Sequence, residues 1–414
     1  MPHIVIVGAG IVGLCCAWSA QRRGWSVTLV DRDFEGDRAS HGNAGGIAVS
    51  ECLPLSLSGL GLQPLRWLLD PLGPLSIRAR HAPRLWPWFL ALRKVAEPAN
   101  YLRIATALAA LNKRSLGDFE AMLSDFRLRG ELHQRGALTV YETRSAFERS
   151  APQWALQRAL GVRWHAVDAA QIQALEPALA PVFATGVVLE DWAHVSDPAR
   201  IVRQLRECVV ARGAHCVTGN VIRVTAEPAD IPGVLLGDGR ALGADRVLVA
   251  AGAWSAQLAG SVGDHALLES ERGYNTTLPA CSARLQREVI FAQRMFVATP
   301  LSIGLRIGGA AEFAGLDAAP NYQRSAALLE LARRYLPDLD EAGAQQWMGH
   351  RPSTPDSLPV IGPSPHNARV LYAFGHGHLG LTQSATTGEL IGAMLDGVPS
   401  PIDTSPYSIG RFRP

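Results

Sequence analysis

The sequence lacks the features that mark several classes of protein. Its six cysteines form no Cys-x-x-Cys pair, and it contains no apolar run long enough to cross a bilayer. Charged residues make up only 18% of the chain, and the formal net charge at pH 7 is +2. These absences argue against a dicysteine redox or zinc motif, a membrane-spanning protein and a protein that binds nucleic acid by charge.

The cysteines fit a reducing compartment. Two of them are adjacent and lie inside an apolar run. We interpret all six as buried thiols and expect a cytoplasmic protein. They are Cys15, Cys16, Cys52, Cys208, Cys216 and Cys281.

The apolar N-terminus resembles a targeting sequence only at first sight. Residues Ile4–Ala20 are almost wholly apolar, but no Lys or Arg precedes them, and three glycines, Gly8, Gly10 and Gly13, interrupt them. A secretory signal has a basic start and an unbroken apolar centre. We therefore interpret this stretch as a strand, a loop and a helix, and no targeting sequence is evident.

The remaining composition predicts a two-part α/β enzyme. With 414 residues, the chain suits two domains, or one large doubly wound domain with a second one inserted. Hydrophobic residues make up 48%, which is a buried-core composition, and 40 glycines indicate many tight turns.

A nucleotide-binding pattern opens the chain. The run His3–Val7 predicts a buried parallel strand, Gly8–Gly13 predicts a loop that leads into a helix, and Trp25–Val30 predicts a second strand. Asp31 closes that strand. This order of strand, G-x-G-x-x-G, helix and acid predicts dinucleotide binding, but it does not separate FAD from NAD.

Each position of this pattern has a physical role. Gly8 permits the tight turn, Gly10 lets the backbone approach a pyrophosphate, and Gly13 lets the helix pack on the strand. The phosphates then lie at the helix N-terminus, where unpaired N–H groups and the helix dipole favour anions. Asp31 can accept hydrogen bonds from both ribose hydroxyls of the adenosine half.

Two further segments of small residues are candidates for cofactor contact. The polar loop Arg38–Gly46 is either an ordinary surface turn or a contact with a flat ring system, and we favour the contact. The predicted strand Asp245–Ala250 ends in Ala251–Ser255 (AGAWS), which again places small residues where backbone meets cofactor. A cofactor strand this far along the chain predicts a discontinuous nucleotide domain.

Between and beyond these segments the pattern predicts further elements. Helical spacing covers residues 100–130, and strands are expected at 133–140 and 216–225. Residues 198–212 predict a helix that Asp197 caps and that ends before Gly213.

The segment Leu53–Val95 mixes aromatic residues with arginines. Such a mixture suits either a packed amphipathic part of the second domain, which we favour, or a peripheral contact with the inner membrane. Its aromatic and basic residues include Arg66, Trp67, Arg78, Arg80, Arg84, Trp86, Trp88, Phe89 and Arg93.

Two dense motifs lie in the C-terminal third. One is Gly349–Gly362 (GHRPSTPDSLPVIG), and the other is Phe374–Thr382 (FGHGHLGLT), which leads into an apolar helix. A glycine loop at a helix N-terminus offers N–H donors and partial positive charge, which suits a reduced flavin that is anionic at its pyrimidine end. The pair His376 and His378 has no third ligand spaced nearby, so we expect no metal.

These motifs together resemble the D-amino acid oxidase superfamily of FAD-dependent oxidoreductases, and they are most similar to its bacterial D-amino acid dehydrogenase and D-hydroxyproline dehydrogenase branch. The resemblance covers nearly the whole chain. It rests on Gly8–Gly13 with Asp31, Ser40–Gly46, AGAWS, Arg351–Asp356 (RPSTPD) and GHGHLGLT. The choice of branch rests on Arg272–Asn275 (RGYN) and Gly308–Gly315 (GGAAEFAG).

The resemblance implies an α/β fold. A discontinuous Rossmann-like FAD-binding domain would carry an inserted α+β substrate domain that contains an antiparallel sheet. We assign residues 1–85, 161–260 and 345–410 to the FAD-binding domain, and residues 86–160 and 261–344 to the substrate domain.

The resemblance also implies site residues. Arg351 matches the arginine that holds the substrate carboxylate, with a structural salt bridge as the alternative. Tyr274 matches a tyrosine that lines the site, with core packing as the alternative, and His350 is grouped with these two for substrate binding. His41, near the flavin, completes the catalytic candidates. The cofactor-binding candidates are Gly8, Gly10, Ile11, Val12, Gly13, Asp31, Arg32, Ser40, His41, Asn43, Ala44, Gly45, Val221, Ala251, Gly252, Trp254, Gly377, His378, Leu379, Gly380, Leu381 and Thr382.

Two departures from the family pattern matter. Relatives of the sarcosine oxidase type link their flavin through a cysteine where this chain has Gly349, so we expect noncovalent FAD. The family usually has Glu after the second strand, and this chain has the chemically equivalent Asp31.

The implied reaction is dehydrogenation of a D-amino acid to its imino acid by hydride transfer to flavin N5, and it requires no general base. The leading substrates are D-proline and cis-4-hydroxy-D-proline, which would give a pyrroline carboxylate. We expect a quinone or another respiratory carrier as electron acceptor and no nucleic-acid partner; the oligomeric state stays open. The alternatives are a glycine or sarcosine-type amine oxidase that uses oxygen, and a flavin-holding subunit of a larger dehydrogenase complex.

Overall fold

The structure is a computed structural model that describes residues 1–55, 73, 75–226 and 231–413. Its strands are β1 (His3–Val7), β2 (Ser26–Asp31), β3 (Gly46–Ile47), β4 (Leu75–Ile77), β5 (Leu132–His133), β6 (Ala137–Tyr141), β7 (Trp164–Asp168), β8 (Thr185–Leu189), β9 (Ala193–Val195), β10 (His215–Thr218), β11 (Val221–Thr225), β12 (Gly233–Leu236), β13 (Ala241–Gly243), β14 (Arg246–Val249), β15 (Glu269–Leu278), β16 (Glu288–Phe291), β17 (Phe296–Leu301), β18 (Gly304–Phe313), β19 (Gln345–Ser353), β20 (Val360–Pro363) and β21 (Val370–Phe374). Its α-helices are α1 (Ile11–Arg22), α2 (Trp86–Val95), α3 (Pro98–Asp125), α4 (Arg144–Ala159), α5 (Ala169–Leu175), α6 (Pro198–Ala211), α7 (Ser255–Gly260), α8 (Gln323–Ala332) and α9 (Gly380–Asp396). Short 3-10 turns cover Ala82–Leu85, Arg129–Glu131, Gly252–Trp254, Gly377–Leu379, Ser405–Tyr407 and Ile409–Phe412.

One sheet carries the nucleotide-binding pattern. Its order is β10-β2-β1-β14-β21-β20, and neighbours pair in parallel except β20, which is antiparallel to β21. Ile4, Val5 and Ile6 of the central strand β1 are fully buried, as expected of a parallel strand covered on both faces. Helix α1 connects β1 to β2 and packs against α9. The Rossmann-like architecture predicted from the first motif is confirmed.

A second, larger sheet has the order β19-β15-β18-β17-β16-β6-β8-β7, and β4 pairs with β18. Its neighbours are antiparallel except for β16 with β6 and β18 with β4. One face packs against α8 through buried side chains that include Phe291, Phe296 and Leu329. The opposite face contacts the loop that follows β2. The predicted substrate domain with an antiparallel sheet is confirmed, and this second face is turned toward the first sheet's loops.

The strand pairing crosses the assigned domain boundaries in four places. Strand β5, from the 86–160 segment, pairs with β9 from the 161–260 segment. Strands β7 and β8, from the 161–260 segment, belong to the larger sheet. The same sheet includes β4 from the 1–85 segment and β19 from the 345–410 segment. These pairings join residues that are distant along the chain, whereas periodicity reports only local structure.

The stretch Cys216–Thr225, predicted as one strand, forms two strands in different sheets. Strand β10 lies beside β2, and β11 begins at Val221 and pairs with β12, which in turn pairs with β13. The chain leaves the first sheet at Gly219, whose N–H donates to the carbonyl of Asp31. Gly219 and Asn220, in the middle of this stretch, are a turn signal that the prediction of a single strand overlooked.

Two predicted helices match the structure closely. Helix α3 covers most of the stretch predicted at 100–130. Helix α6 begins after Asp197, whose carboxylate accepts from the backbone N–H of Ala199 at 3.0 Å, and it ends before Gly213, which has a φ of 93°.

Helix α2 belongs to the segment that mixes aromatic residues with arginines. Trp88 and Leu92 are buried, whereas Trp86 is 65% and Leu90 45% exposed. Arg66 and Trp67 lie outside the described residues. Among the described helices, none combines the length and the hydrophobicity needed to cross a membrane.

Candidate active site

The glycine loop after β1 fits the phosphate groups of a dinucleotide. Gly8 has a φ of 106°, and a β-carbon there would overlap the carbonyl oxygen of Ala250. A β-carbon at Gly13 would overlap the carbonyl of Gly8, so both positions require glycine for the fold itself. At Gly10, by contrast, a β-carbon would meet only the Ser40 hydroxyl, at 3.5 Å. The open space beside Gly10, at the start of α1, is where a pyrophosphate would approach the backbone.

Side chains around this loop arrange its donors. Asp31 accepts from the backbone N–H of Ala9 at 2.7 Å, and the Ser40 hydroxyl accepts from that of Ile11 at 3.1 Å. Arg38 donates to the carbonyl of Ala9 at 2.7 Å, with the same nitrogen 3.7 Å from Asp31. The sequence analysis assigned Asp31 and Ser40 individually to the cofactor; Arg38 opens the candidate loop Arg38–Gly46 but was not assigned individually, because no motif position marks it.

A row of one cation and two rings runs from the end of β2 to the larger sheet. The Arg32 guanidinium lies 3.9 Å from the ring centroid of Trp254, whose ring is 5.4 Å from that of His350. The Ser270 hydroxyl is 2.7 Å from Nδ1 of His350. Burial, helped by the charges of Arg272 and Arg32, lowers the pKa of His350 to about 4, so this imidazole is neutral at neutral pH.

The other candidates near β14 and β11 lie at strand ends close to the phosphate loop. A β-carbon at Gly8 would be 3.1 Å from the α-carbon of Ala251, and Gly252 follows with a φ of 56°. Val221, at the start of β11, lies two residues after Gly219, whose N–H donates to the carbonyl of Asp31. Val12 is half-buried in the first turn of α1.

The loop that follows the acid is held by the larger sheet. Arg306 donates to the carbonyls of Asn43 at 2.6 Å and His41 at 3.2 Å, and the amide of Asn275 donates to the carbonyl of Gly42 at 2.8 Å. Burial lowers the pKa of Arg306 to about 10. The Asn43 side chain accepts from the N–H of Gly45 at 2.8 Å. Four polar contacts therefore fix the shape of this loop, with Ala44 half-buried within it.

The same loop meets the start of α9. The Thr382 hydroxyl accepts from the N–H of Ala48 at 2.9 Å and is 3.3 Å from the carbonyl of Gly46. Helix α9 begins at Gly380 without a side-chain cap, and the partial positive charge at a helix N-terminus favours an anionic group. Before it, the turn starting at Gly377 keeps His378 exposed, while Leu379 and Leu381 are buried.

Trp347 covers the two glycines of this region. Its ring lies where a β-carbon at Gly42 or at Gly349 would be, and its indole N–H donates to Asp37. The other oxygen of Asp37 is 3.5 Å from Nδ1 of His41. The space beside Gly349 is thus filled by an indole, and sequence reasoning did not single out this tryptophan.

Arg351 lies on the face of the larger sheet that contacts the loop after β2. Its Nη1 is 2.9 Å from Oε1 of Glu271, its cross-strand neighbour on β15, and the Ser353 hydroxyl donates to Oε2 of Glu271 at 2.7 Å. Burial works against the charge of Glu271, but Arg351 and His378 outweigh it and hold the pKa of Glu271 below its usual range. Among the described residues, Nε and Nη2 of Arg351 have no hydrogen-bond partner, and the side chain is 27% exposed.

Tyr274 and His350 lie on the opposite face from Arg351. The Tyr274 hydroxyl donates to Glu312 at 2.6 Å and accepts from the N–H of Asn321 at 3.0 Å, and the residue is 1% exposed. Glu312 also pairs with Arg272 at 3.0 Å. Side chains alternate along a strand, and Tyr274 is three residues from Glu271, the neighbour of Arg351. The structure therefore does not bring the three substrate-binding candidates together.

Two acids near the loop, the buried Glu288 and the half-buried Glu51, were missed by sequence reasoning. Glu288 is 3% exposed, accepts from the indole of Trp192 at 3.3 Å, and lies 2.5 Å from where a β-carbon of Gly46 would be. Burial raises the pKa of Glu288 to about 8. Burial also raises the pKa of Glu51, against the charge of His378. Acids in otherwise ordinary strands and loops give no sequence signal of this kind.

The chain is similar to known proteins over nearly its whole length. The family model described as "DAO: FAD dependent oxidoreductase" matches residues 3–394. The chain is 34% identical over 423 residues to a D-amino-acid oxidase of Bradyrhizobium diazoefficiens, with 99% of each chain covered. It is 28% identical over 416 residues to a D-amino acid dehydrogenase of Granulibacter bethesdensis, again with 99% of each chain covered.

Solved structures share the fold at lower identity. Glycine oxidase from Geobacillus kaustophilus superposes with a TM-score of 0.77 at 20% identity, and all of both chains is covered. L-proline dehydrogenase from P. horikoshii gives a TM-score of 0.76 at 18% identity, with 99% of this chain and 97% of that chain covered. At these identities the likeness concerns the fold alone.

Proposed function

The chain belongs to the DAO family of FAD-dependent oxidoreductases, and we propose that within this family it dehydrogenates the bond between the α-carbon and the nitrogen of a D-amino acid. Membership of the family confirms the FAD dependence inferred from the motifs. The names of its relatives, D-amino-acid oxidase and D-amino acid dehydrogenase, support the substrate class.

The observation that carries the proposal is the free edge of Arg351. Its Nε and Nη2 have no partner among the described residues, and they lie on the sheet face that contacts the loop at His41–Asn43. A guanidinium edge with two parallel N–H groups matches a carboxylate in geometry and charge. A carboxylate held there would place the α-carbon of an amino acid between the sheet and the cofactor loops.

The residues of the chain fit FAD. The phosphates would lie beside Gly10, and the flavin would lie between the loop Ser40–Gly45 and the uncapped start of α9 at Gly380. We propose that FAD is held without a covalent bond, because the relevant position is Gly349 and the indole of Trp347 fills the space beside it. Bound FAD supplies the acceptor for the hydride that leaves the substrate.

The chain's own residues bind and orient the substrate. Arg351 fixes the carboxylate, and the sheet face and the loop exclude water around the α-carbon. The substrate amine reacts in its neutral form, since its lone pair becomes the new carbon–nitrogen π bond as the hydride departs. The product is the protonated imino acid, which can lose its N–H proton to water, and no side chain has to remove a proton from carbon.

We propose D-proline and cis-4-hydroxy-D-proline as the leading substrates, each giving a pyrroline carboxylate. The test is a panel of D-proline, cis-4-hydroxy-D-proline, D-alanine, sarcosine and glycine with an artificial electron acceptor. The highest kcat/KM is expected for one of the two proline-type substrates. If D-alanine is best, the enzyme is a general D-amino acid dehydrogenase, and if glycine or sarcosine is best, it is an amine oxidase of the glycine or sarcosine type.

The electron acceptor forms a separate part of the proposal. We propose a quinone or another respiratory carrier, in line with the relatives that are named dehydrogenases. The relative named an oxidase supports oxygen as the alternative. Dye or quinone reduction without oxygen should be much faster than peroxide formation in air, and rapid peroxide production would make this protein an oxidase.

The exposed side of α2 is the proposed contact with a membrane that carries such an acceptor. Trp86 and Leu90 are exposed one turn apart, and the basic residues Arg93 and Lys94 follow on the exposed surface. Flotation with anionic lipid vesicles should carry the holoenzyme, and Trp86→Ala with Leu90→Ala should reduce the bound fraction. Equal flotation of the wild type and the double variant would show that Trp86 and Leu90 do not contact the membrane.

A further inference from the structure

We propose that Glu271 is a positioning residue that holds the Arg351 guanidinium by Nη1 and thereby presents the Nε–Nη2 edge to the substrate carboxylate. The inference rests on the proposed function, because it assumes that Arg351 binds a carboxylate. It adds a second residue to substrate recognition and explains why an acid lies beside the anion-binding arginine.

Glu271 is itself held at both carboxylate oxygens. Oε1 accepts a hydrogen bond from Nη1 of Arg351 at 2.9 Å, and Oε2 accepts one from the Ser353 hydroxyl at 2.7 Å. Ser353 in turn forms a backbone bridge with His376, just before the turn that leads to α9. The carboxylate is therefore fixed to the strand that carries Arg351 and to the cofactor-binding turn. A fixed acceptor of this kind can fix the orientation of its donor.

Gly273 sets the second constraint on the guanidinium. A β-carbon at Gly273 would be 2.5 Å from Cζ and Nη2 of Arg351 and 2.6 Å from Nε. These nearly equal distances mean that the guanidinium plane lies flat over the backbone of β15. Glu271 thus restrains the guanidinium at one nitrogen, and the bare backbone at Gly273 supports its face. A long arginine side chain loses much rotamer freedom on binding unless it is ordered in advance.

The hydrogen-bond pattern separates this role from a purely structural ion pair. A structural arginine–carboxylate pair gains most from two parallel hydrogen bonds. Here only Nη1 contacts Glu271, and the second carboxylate oxygen is taken by Ser353. Among the described residues the other edge of Arg351 has no partner. The pair is arranged so that one edge is anchored and the other is available.

The test measures carboxylate binding to the holoenzyme. Pyrrole-2-carboxylate, a ring carboxylate that offers no hydride, is titrated while the absorption of the bound flavin is followed. The substitution Glu271→Gln should weaken its binding by about tenfold, the effect of losing one charged hydrogen bond. Pyrrole-2-carboxamide, which lacks the charge, should bind both proteins alike. Equal or tighter carboxylate binding by Glu271→Gln would overturn the proposal, because Glu271 would then compete with the ligand for Arg351.

A matched control lies two residues away on the same strand. Glu269 pairs with His81 at 3.0 Å rather than with Arg351, so Glu269→Gln makes the same chemical change without touching the anchor. It should leave carboxylate binding unchanged. Gly273→Ala should weaken binding as Glu271→Gln does, since its β-carbon displaces the guanidinium. Normal binding by Gly273→Ala would contradict the flat placement that the proposal requires.

A double-substitution cycle tests whether Glu271 acts through Arg351. With D-proline or the best substrate of the panel, Glu271→Gln should raise KM by about tenfold and change kcat by less than about threefold. In an Arg351→Ala background it should raise KM by less than about twofold further. A further rise of about tenfold in that background would show independent action and overturn the proposal. If the wild-type enzyme oxidises no D-amino acid, the proposed function fails, and the pyrrole-2-carboxylate titration still decides the role of Glu271.

Discussion

The backbone N–H of Ala9 donates to a carboxylate oxygen of Asp31 at 2.7 Å, so one side chain ties the phosphate loop to the end of β2. The second oxygen of Asp31 accepts from the N–H of Asp33 at 3.1 Å. Each carboxylate oxygen keeps a further lone pair, which allows ribose hydroxyls to be bound in addition. Asp31 therefore shapes the nucleotide site as well as offering acceptors to it.

The space beside Gly10 leads to a prediction about cofactor binding. In Gly10→Ala the new β-carbon would meet only the Ser40 hydroxyl in the protein, at 3.5 Å, so the polypeptide should fold. The same methyl group would occupy the space where the pyrophosphate approaches, and FAD affinity should fall by about tenfold or more. Flavin absorbance per protein after gel filtration, together with circular dichroism, measures both effects.

Gly117→Ala is the control for this change. Gly117 lies inside α3, and a β-carbon there would meet nothing within 4 Å. Alanine is the better helix former, so this variant should keep its flavin and be at least as stable as the wild type. Full flavin occupancy in Gly10→Ala would show that the phosphates of FAD do not lie beside Gly10.

Arg351 gives the prediction with the largest expected effect on activity. Arg351→Ala would leave the substrate carboxylate without its partner, at a cost on the order of 2–5 kcal/mol. At about tenfold per 1.4 kcal/mol, kcat/KM should fall by roughly thirty- to several-thousandfold while flavin stays bound. Arg351→Lys keeps the charge but loses the planar pair of donors, so it should recover only part of the loss. Steady-state kinetics with flavin content measured on the same samples checks both variants.

A near-normal kcat/KM for Arg351→Ala on the best substrate would show that Arg351 forms a structural salt bridge with Glu271. The Tyr274→Phe substitution serves as a contrast. Its hydroxyl contacts Glu312 and Asn321 on the other face of the sheet, so stability should fall more than kcat/KM. A larger fall in kcat/KM than in stability would instead indicate that the Tyr274 hydroxyl contacts the substrate.

The nucleotide half of the protein was predictable because its motifs have local causes. The glycines at 8 and 13 are required by backbone overlaps within a few residues or one neighbouring strand, and such requirements leave a fixed spacing in the sequence. The cap of α6 at Asp197 is equally local. Local rules of this kind identified the first sheet, whereas the FAD-dependent family was inferred from the resemblance that all the motifs carry together.

The substrate side depends on long-range pairing, and here the sequence was less informative. The contact between Glu271 and Arg351 joins residues eighty positions apart through the register of β15 and β19. Strand alternation alone predicts that Tyr274 and Glu271 face opposite ways, but it does not tell which face meets the cofactor. Glu288 was missed because its burial follows from the packing of β16 beside Trp192 and Gly46.

The region around Gly349 predicts a flavin that can be released. No side chain at 349 can bond to the flavin, and Trp347 occupies the adjacent space. Acid precipitation of the holoenzyme should therefore leave the flavin in the supernatant, measured by its absorbance. Flavin that remains with the precipitated polypeptide would contradict noncovalent binding. Trp347→Phe keeps a ring over both glycines but loses the bond to Asp37, and it should still release its flavin in this way.

The raised pKa of Glu288 predicts a specific dependence of stability on pH. Burial raises this pKa from an ordinary value near 4.5 to about 8. Between these values the unfolded chain has lost a proton that the folded protein retains, so stability falls as pH rises through the window. The full loss of stability is on the order of a few kcal/mol, and none of it is present below the lower pKa.

Glu288→Gln keeps the shape of the side chain without its titration, so the difference in Tm between variant and wild type should widen from about pH 5 to about pH 8. Glu330→Gln removes an exposed acid, whose side chain is 79% accessible, and its Tm should follow the wild type throughout. Parallel Tm profiles for Glu288→Gln and wild type would show that Glu288 is ionised in the folded protein, with its charge balanced inside the site.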